Sequence, residues 1–188
     1  MIPTQPLFWA WEKELSSETC DHIISLAKDI PPEKGVVGGT GEDDPGRLEH
    51  KQRDSDVRWI TDNFIVHALL GFGNQANHSS WGMNIDTISS IQFTEYTKEQ
   101  HYDWHMDTYE RGPDMRKVSI IVQLTDPEDY EGGDFQFRHY GGQVEEVPIL
   151  RQRGTVLVFP SWLEHRVTPV TKGKRQTLVA WMSGPALV

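Results

Sequence analysis

The chain has a single cysteine, Cys20. Without a second thiol there is no internal disulfide, which suits a reducing compartment. Positive charge is also scarce: 18 Lys and Arg face 28 Asp and Glu, a formal net charge of −10. A general nucleic-acid binder is therefore not expected, because a phosphate backbone demands a basic footprint. No run is long and apolar enough to span a membrane. The opening residues, Met1 to Pro6, offer neither a basic n-region nor an apolar stretch, so no secretory signal is expected. Internal repeats and low-complexity tracts are missing too. These absences lead to an expectation of a cytoplasmic protein, in the host cytoplasm if a virus encodes it, with neither nucleic acid nor membrane as partner. The 188 residues suffice for one domain, 1–188, with a sizeable core.

The polar and apolar pattern divides the chain in two. Residues 1–84 carry two helical patterns. Ser16 or Ser17 can cap the first, whose Cys20, Ile23, Ile24 and Ala27 fall at helical spacing until Pro31 and Pro32 stop it. Thr61 or Asp62 can cap the second, with Ile65, Ala68, Leu69 and Phe72 on one face. Between them, residues 33–56 are polar and glycine-rich, which predicts a long mobile loop. From residue 85 to 184 the pattern turns to short strands separated by turns. They include Val118–Leu124, Asp134–Arg138, Val147–Leu150, Thr155–Phe159 and Arg175–Met182, with a hairpin at Gly141-Gly142. Many short strands without βαβ alternation predict a mainly β protein of jelly-roll type with flanking helices.

Within this second part lies His101-Tyr102-Asp103-Trp104-His105-Met106-Asp107. On a strand, residues i and i+2 share a face, so the imidazole of His105 and the carboxylate of Asp107 would project side by side. His165 lies 58 positions further on, after a hydrophobic strand. Two histidines and one carboxylate with open positions form the ligand set of non-haem Fe(II) oxygenases. A closed zinc site would need a fourth Cys or His, and His101 is not placed to supply it. Arg175 follows His165 by ten residues, and its guanidinium could hold a carboxylate bidentately. Lys174 is a rival, but its side chain should face the opposite way. Trp104 and Trp162 flank ligands and are expected to pack around them.

The stretch from about Ile88 to Trp181 resembles the catalytic core of the Fe(II)- and 2-oxoglutarate-dependent oxygenases, most closely the prolyl 4-hydroxylase-like branch. The matching motifs are Tyr96 and Tyr102 ahead of His105-x-Asp107, then Glu131-Gly132-Gly133, His165-Arg166-Val167-Thr168-Pro169 and Arg175-x-Thr177. The resemblance implies a double-stranded β-helix, cupin-like, with the N-terminal helices packed on its outside. It implies His105, Asp107 and His165 as ligands of Fe(II). Arg175, Tyr96, Thr177 and Gln123 would contact 2-oxoglutarate, with O2 as co-substrate and ascorbate as reductant. Arg53, Ser55 and Trp181 would lie beside the substrate, and the 33–56 loop would close over a peptide. The implied activity is hydroxylation of an unactivated C–H bond, foremost in a prolyl residue of a peptide or protein, with release of succinate and CO2. Another residue, a free amino acid or a small metabolite remains open as substrate, as does a non-catalytic metal-binding module.

Overall fold

The computed structural model describes residues 6–38, 46–108, 110–111 and 114–186. The N-terminal part holds β1 (Trp9–Trp11), α1 (Ser17–Lys28), β2 (Glu33–Lys34), β3 (Arg53–Asp54), β4 (Asp56–Trp59) and α2 (Asn63–Ala76). Then come β5 (Thr87–Tyr96), β6 (His101–His105), β7 (Glu110–Arg111), β8 (Asp114–Gln123), β9 (Tyr130–Gly132), β10 (Phe135–Arg138) and β11 (Val144–Glu146). The chain finishes with β12 (Val156–Pro160), β13 (Glu164–Val167), β14 (Val170–Gly173) and β15 (Arg175–Pro185). Among the described residues no helix is long and apolar enough to cross a membrane.

Both helices start where a side chain can accept a free backbone N–H. Ser16 Oγ takes the amide of Thr19 at 3.2 Å, and Asp62 Oδ1 takes that of Ile65 at 3.0 Å. Such caps contribute about 1 kcal/mol each. Beyond Ala76 the second helix widens into a π turn over Asn77–Trp81, ended by Gly82 at φ 60°.

The larger sheet runs β1-β12-β8-β15-β5-β4-β2, with β7 on β8; the smaller runs β11-β10-β13-β6-β3. Every pairing in both is antiparallel. Alternation along the strands sorts the side chains. Leu178, Ala180, Met182, Phe93, Ile120 and Val158 leave the larger sheet on one face and pack beneath α1 and α2. On the other face Ile121, Leu157 and Phe159 meet Phe135, Phe137 and Val167 of the smaller sheet. Phe137 and Phe159 cross edge to face at 5.1 Å. Each fully buried phenylalanine contributes about 1.5–3 kcal/mol. The result is the expected jelly roll, helices outside, with its interior between the two sheets.

Two segments differ from the sequence-based expectation. The predicted strand Val147–Leu150 is a 3-10 turn over Pro148–Arg151, preceded by β11. Val147 still donates to Phe135 O, but Pro148 has no N–H to continue the ladder. Residues 33–56 are not all loop: β2 and β3 lie near their ends, and Val37 bridges Arg47. Residues 39–45, inside the predicted mobile loop, lie outside the described residues. At Ser55 the chain crosses from the smaller sheet, where β3 pairs with β6, to the larger, where β4 pairs with β5.

Candidate active site

His105 ends β6, Asp107 follows just beyond it, and His165 lies opposite on β13, with His165 and His105 directly paired. One ligand atom from each of the three lies within 4.8 Å of the others. Asp107 stands between the rings, its two oxygens each 3.6 Å from one imidazole Nε2. Both imidazoles are held in the same way. His105 Nδ1 is 2.8 Å from Asp103 O, and His165 Nδ1 is 2.8 Å from Leu163 O. A carbonyl only accepts, so each Nδ1 carries a proton and each Nε2 is the nitrogen left facing Asp107. Burial, with His165 alongside, pushes the pKa of His105 down to about 3, which keeps it neutral. Burial acts to raise the pKa of Asp107. The two histidines, Ser119 and the indole of Trp181 outweigh it and hold the carboxyl below its ordinary value. The Trp181 N–H faces this carboxylate without closing a normal hydrogen bond, since Nε1 has no partner of good geometry. Two imidazoles, borderline donors, plus one carboxylate suit a divalent transition metal.

The Asp107 carboxylate has supports that the sequence did not disclose. Ser119 Oγ donates to its Oδ2 at 2.7 Å and is itself 3.0 Å from Ser161 Oγ. Ser161 O accepts the amides of Asp107 and Thr108. The alternation placing Ser119, Ile121 and Gln123 on one face was legible; that this face is the one meeting Asp107 was not.

Strand β15 carries the second half of the site. Arg175 pairs with Tyr96, Thr177 with Thr94 and Gln123, and Trp181 with Ser119. All point into the space between the sheets. Arg175 is 2% exposed. Among the described residues its guanidinium makes no hydrogen bond or ion pair, and the Tyr96 ring lies 5.9 Å from it. Gly133 makes room for it: at φ +63°, a Cβ there would come within 3.0 Å of Arg175 Cδ. Lys174 points outward and pairs with Glu95 at 3.3 Å. Gln123 has committed its Nε2 to Thr125 O, so its Oε1 is the unpartnered atom.

On the far side of Asp107, Arg116 lies over the Trp181 ring at 3.8 Å, and Trp59 is 6.5 Å from Trp181. Arg116 was not singled out from sequence. It reaches this face because β8 slips by one residue against β15 beside Lys117, and no local pattern announces a bulge.

Other expected residues do not present atoms to the triad directly. Arg53 and Ser55 are buried and bonded to each other, Arg53 Nε to Ser55 Oγ at 3.0 Å. The His101 ring lies between the carbonyls of Glu99 and Lys51, each 3.2 Å from one of its nitrogens. Trp104 turns outward between Arg138 and Arg166, and Trp162 is 42% exposed. Neither tryptophan packs around the ligands, because both flank inward residues on alternating strands or turns.

The family description "2OG-Fe(II) oxygenase superfamily" matches residues 91–183. The chain is 30% identical to a PKHD-type hydroxylase of Maricaulis maris over 178 residues, covering 91% of this chain and 75% of that relative. It spans about two-fifths of the length of three further PKHD-type hydroxylases, at 43%, 41% and 37%. Its fold is similar to a Pseudomonas putida prolyl-4-hydroxylase, at TM-score 0.71 and 18% identity, covering 97% of this chain and 95% of that one. It is also similar to a Trichoplax adhaerens prolyl hydroxylase solved with a hypoxia inducible factor peptide fragment, at TM-score 0.74 and 15% identity, covering 94% and 83%. With identity of 30% sustained across three-quarters of one relative and the family match over the strands that carry the site, the chain belongs to the 2OG-Fe(II) oxygenase superfamily.

Proposed function

We propose that the protein is an active Fe(II)- and 2-oxoglutarate-dependent dioxygenase that hydroxylates a prolyl residue in a peptide or protein. The observation that supports it most is Arg175. A guanidinium only 2% exposed that no protein acceptor meets is poorly solvated, and an anion in the adjoining space would relieve that. It shares a sheet face with Ser119, the hydrogen-bond partner of Asp107. A dicarboxylate is the ligand class that would satisfy the arginine and also reach the donor triad.

His105 Nε2, His165 Nε2 and Asp107 would hold Fe(II). When bound, the metal with 2-oxoglutarate and O2 supplies oxidation of an unactivated C–H bond with release of succinate and CO2. The chain's own residues orient and exclude. Arg175 anchors the distal carboxylate, with Thr177 and Tyr96 adding hydroxyl donors on the same face. Gln123 contributes by shaping the wall, since its free atom is an acceptor that a carboxylate cannot satisfy. Ser119 keeps Asp107 turned inward. The aromatic and cationic wall of Trp59, Trp181 and Arg116 is the substrate side. Its mixture of flat apolar surface and a guanidinium suits a peptide, whose carbonyls accept and whose pyrrolidine ring packs on indole. The two prolyl hydroxylase neighbours, one solved with a peptide, support the same reading.

The test is incubation with Fe(II), 2-oxoglutarate, ascorbate and a library of proline-containing peptides. Succinate formation coupled to one added oxygen in a peptide, located on proline by fragmentation, is expected. Coupled succinate with free amino acids or small metabolites but with no peptide would remove the prolyl assignment. Loss of sustained turnover when ascorbate is left out would establish it as reductant.

A further inference from the structure

We infer that Arg53 is a positioning residue for His105, acting through the ring of Tyr102. The inference rests on the proposal that His105 holds the metal.

Arg53 is 9% exposed, and each of its nitrogens is committed to a protein acceptor. Nε donates to Ser55 Oγ at 3.0 Å, one terminal nitrogen to Val36 O at 3.1 Å, and the other to Gln92 Oε1 at 2.8 Å. The guanidinium carbon then sits 4.6 Å from the centroid of Tyr102. On the other side, Tyr102 stacks on His105, with centroids 3.4 Å apart and planes 9° from parallel. Cation, phenol and imidazole thus form one column ending at a donor of the triad.

The column exists because of a register slip. His165 pairs with His105 and Val167 with Tyr102, so β6 spends three steps where β13 spends two. An extra residue in a strand brings i and i+3 to a common face and re-aims the side chains around it. The column supplies something the backbone does not. The hydrogen bond from His105 Nδ1 to Asp103 O fixes one direction of the ring but leaves it free to tilt about that bond. A ring stacked face to face at this distance fixes the tilt, and the cation behind it keeps the phenol in place.

The far end of the column is tied to the 33–56 segment and to both sheets. Val36 lies on its first limb, Ser55 at the crossover between sheets, and Gln92 on β5 of the larger sheet. Gly35 packs so closely on Arg53 and Ser55 that a Cβ would collide with both. A movement of this segment is therefore felt at the imidazole. Three of the five Arg53 N–H groups are spent on these protein acceptors.

Co(II) binding and its visible d–d absorption report the donor geometry without turnover. In Arg53→Met and in Tyr102→Leu, Co(II) affinity should fall about 10–100-fold, as for other residues that orient ligands, and the bands should shift. The double variant should be no weaker than the more severe single, since both cut one column. Tyr102→Phe keeps the ring and should restore the wild-type bands. Circular dichroism would show whether Arg53→Met folds; if it does not, Tyr102→Leu and Arg53→Lys carry the test from the two ends. Wild-type affinity and bands in folded Arg53→Lys and Tyr102→Leu would overturn the inference, as would fully additive losses in the double variant. Undiminished Co(II) affinity in His105→Ala would overturn the metal assignment itself, and this inference with it.

Discussion

At single side chains, the site divides into atoms that meet a ligand and atoms that aim them. On the proposed function, His105, Asp107 and His165 are of the first kind. Replacing any one by alanine should abolish turnover and lower Fe(II) affinity; near-wild-type activity and metal content in one of them would remove that residue from the set. Ser119 is of the second kind. Ser119→Ala leaves Asp107 Oδ2 without its 2.7 Å donor. We expect metal affinity to fall about 10–100-fold, less than in the ligand variants. Isothermal titration with Co(II) or Mn(II) would measure it, and an unchanged constant would show that Ser161 alone suffices. Arg175→Ala should cost about 3–5 kcal/mol in 2-oxoglutarate binding, the scale for breaking one side of a buried charge pair, with metal affinity kept. Equal 2-oxoglutarate affinity in this variant would mean another anchor. Lys174 is a poor one, since it already faces Glu95 on the outside.

At the level of elements, the site depends on strands whose registers slip and on a turn that only glycine can make. Gly132 and Gly133, both at positive φ, link β9 to β10 beside Arg175. Gly133→Ala would place a Cβ 3.0 Å from Arg175 Cδ and hold an alanine at φ +63°. The backbone penalty alone is about 1–3 kcal/mol. We therefore expect a lower melting temperature together with a higher 2-oxoglutarate requirement. A stability loss with unchanged 2-oxoglutarate affinity would separate the turn from the anchor. The slips in β6 and β8 have a different consequence: each turns an aromatic or cationic side chain toward the triad, Tyr102 onto His105 and Arg116 onto Trp181.

In the molecule as a whole, residues 53–59 cross from the smaller sheet to the larger. β3 extends the smaller sheet beside the strand that carries His105, and β4 extends the larger. We predict that amides from Val36 to Arg53 gain hydrogen-exchange protection when a proline-containing peptide binds, because closure over the peptide would exclude water from the reaction. Unchanged protection, with full peptide hydroxylation after deletion of residues 38–44, would favour a small substrate that needs no closing segment.

Much of this was open to reading from local order. Period-3.6 and period-2 hydrophobic patterns located both helices and most strands, because each face of an element is sorted by burial alone. That His105, Asp107 and His165 converge and that Arg175 turns inward was legible, because these side chains stand at spacings rare by chance. The strand expected at Val147–Leu150 failed where a proline ended the ladder, and the tryptophans beside the ligands turned away because neighbours on a strand alternate. What lay beyond the linear order was register. Whether Tyr102 lies on His105, whether Arg116 reaches Trp181, and whether Ser119 meets Asp107 depend on how one strand pairs with another far along the chain. A one-residue slip reverses which side chains share a face, and the packing of the two sheets, not any local propensity, decides where the slip occurs.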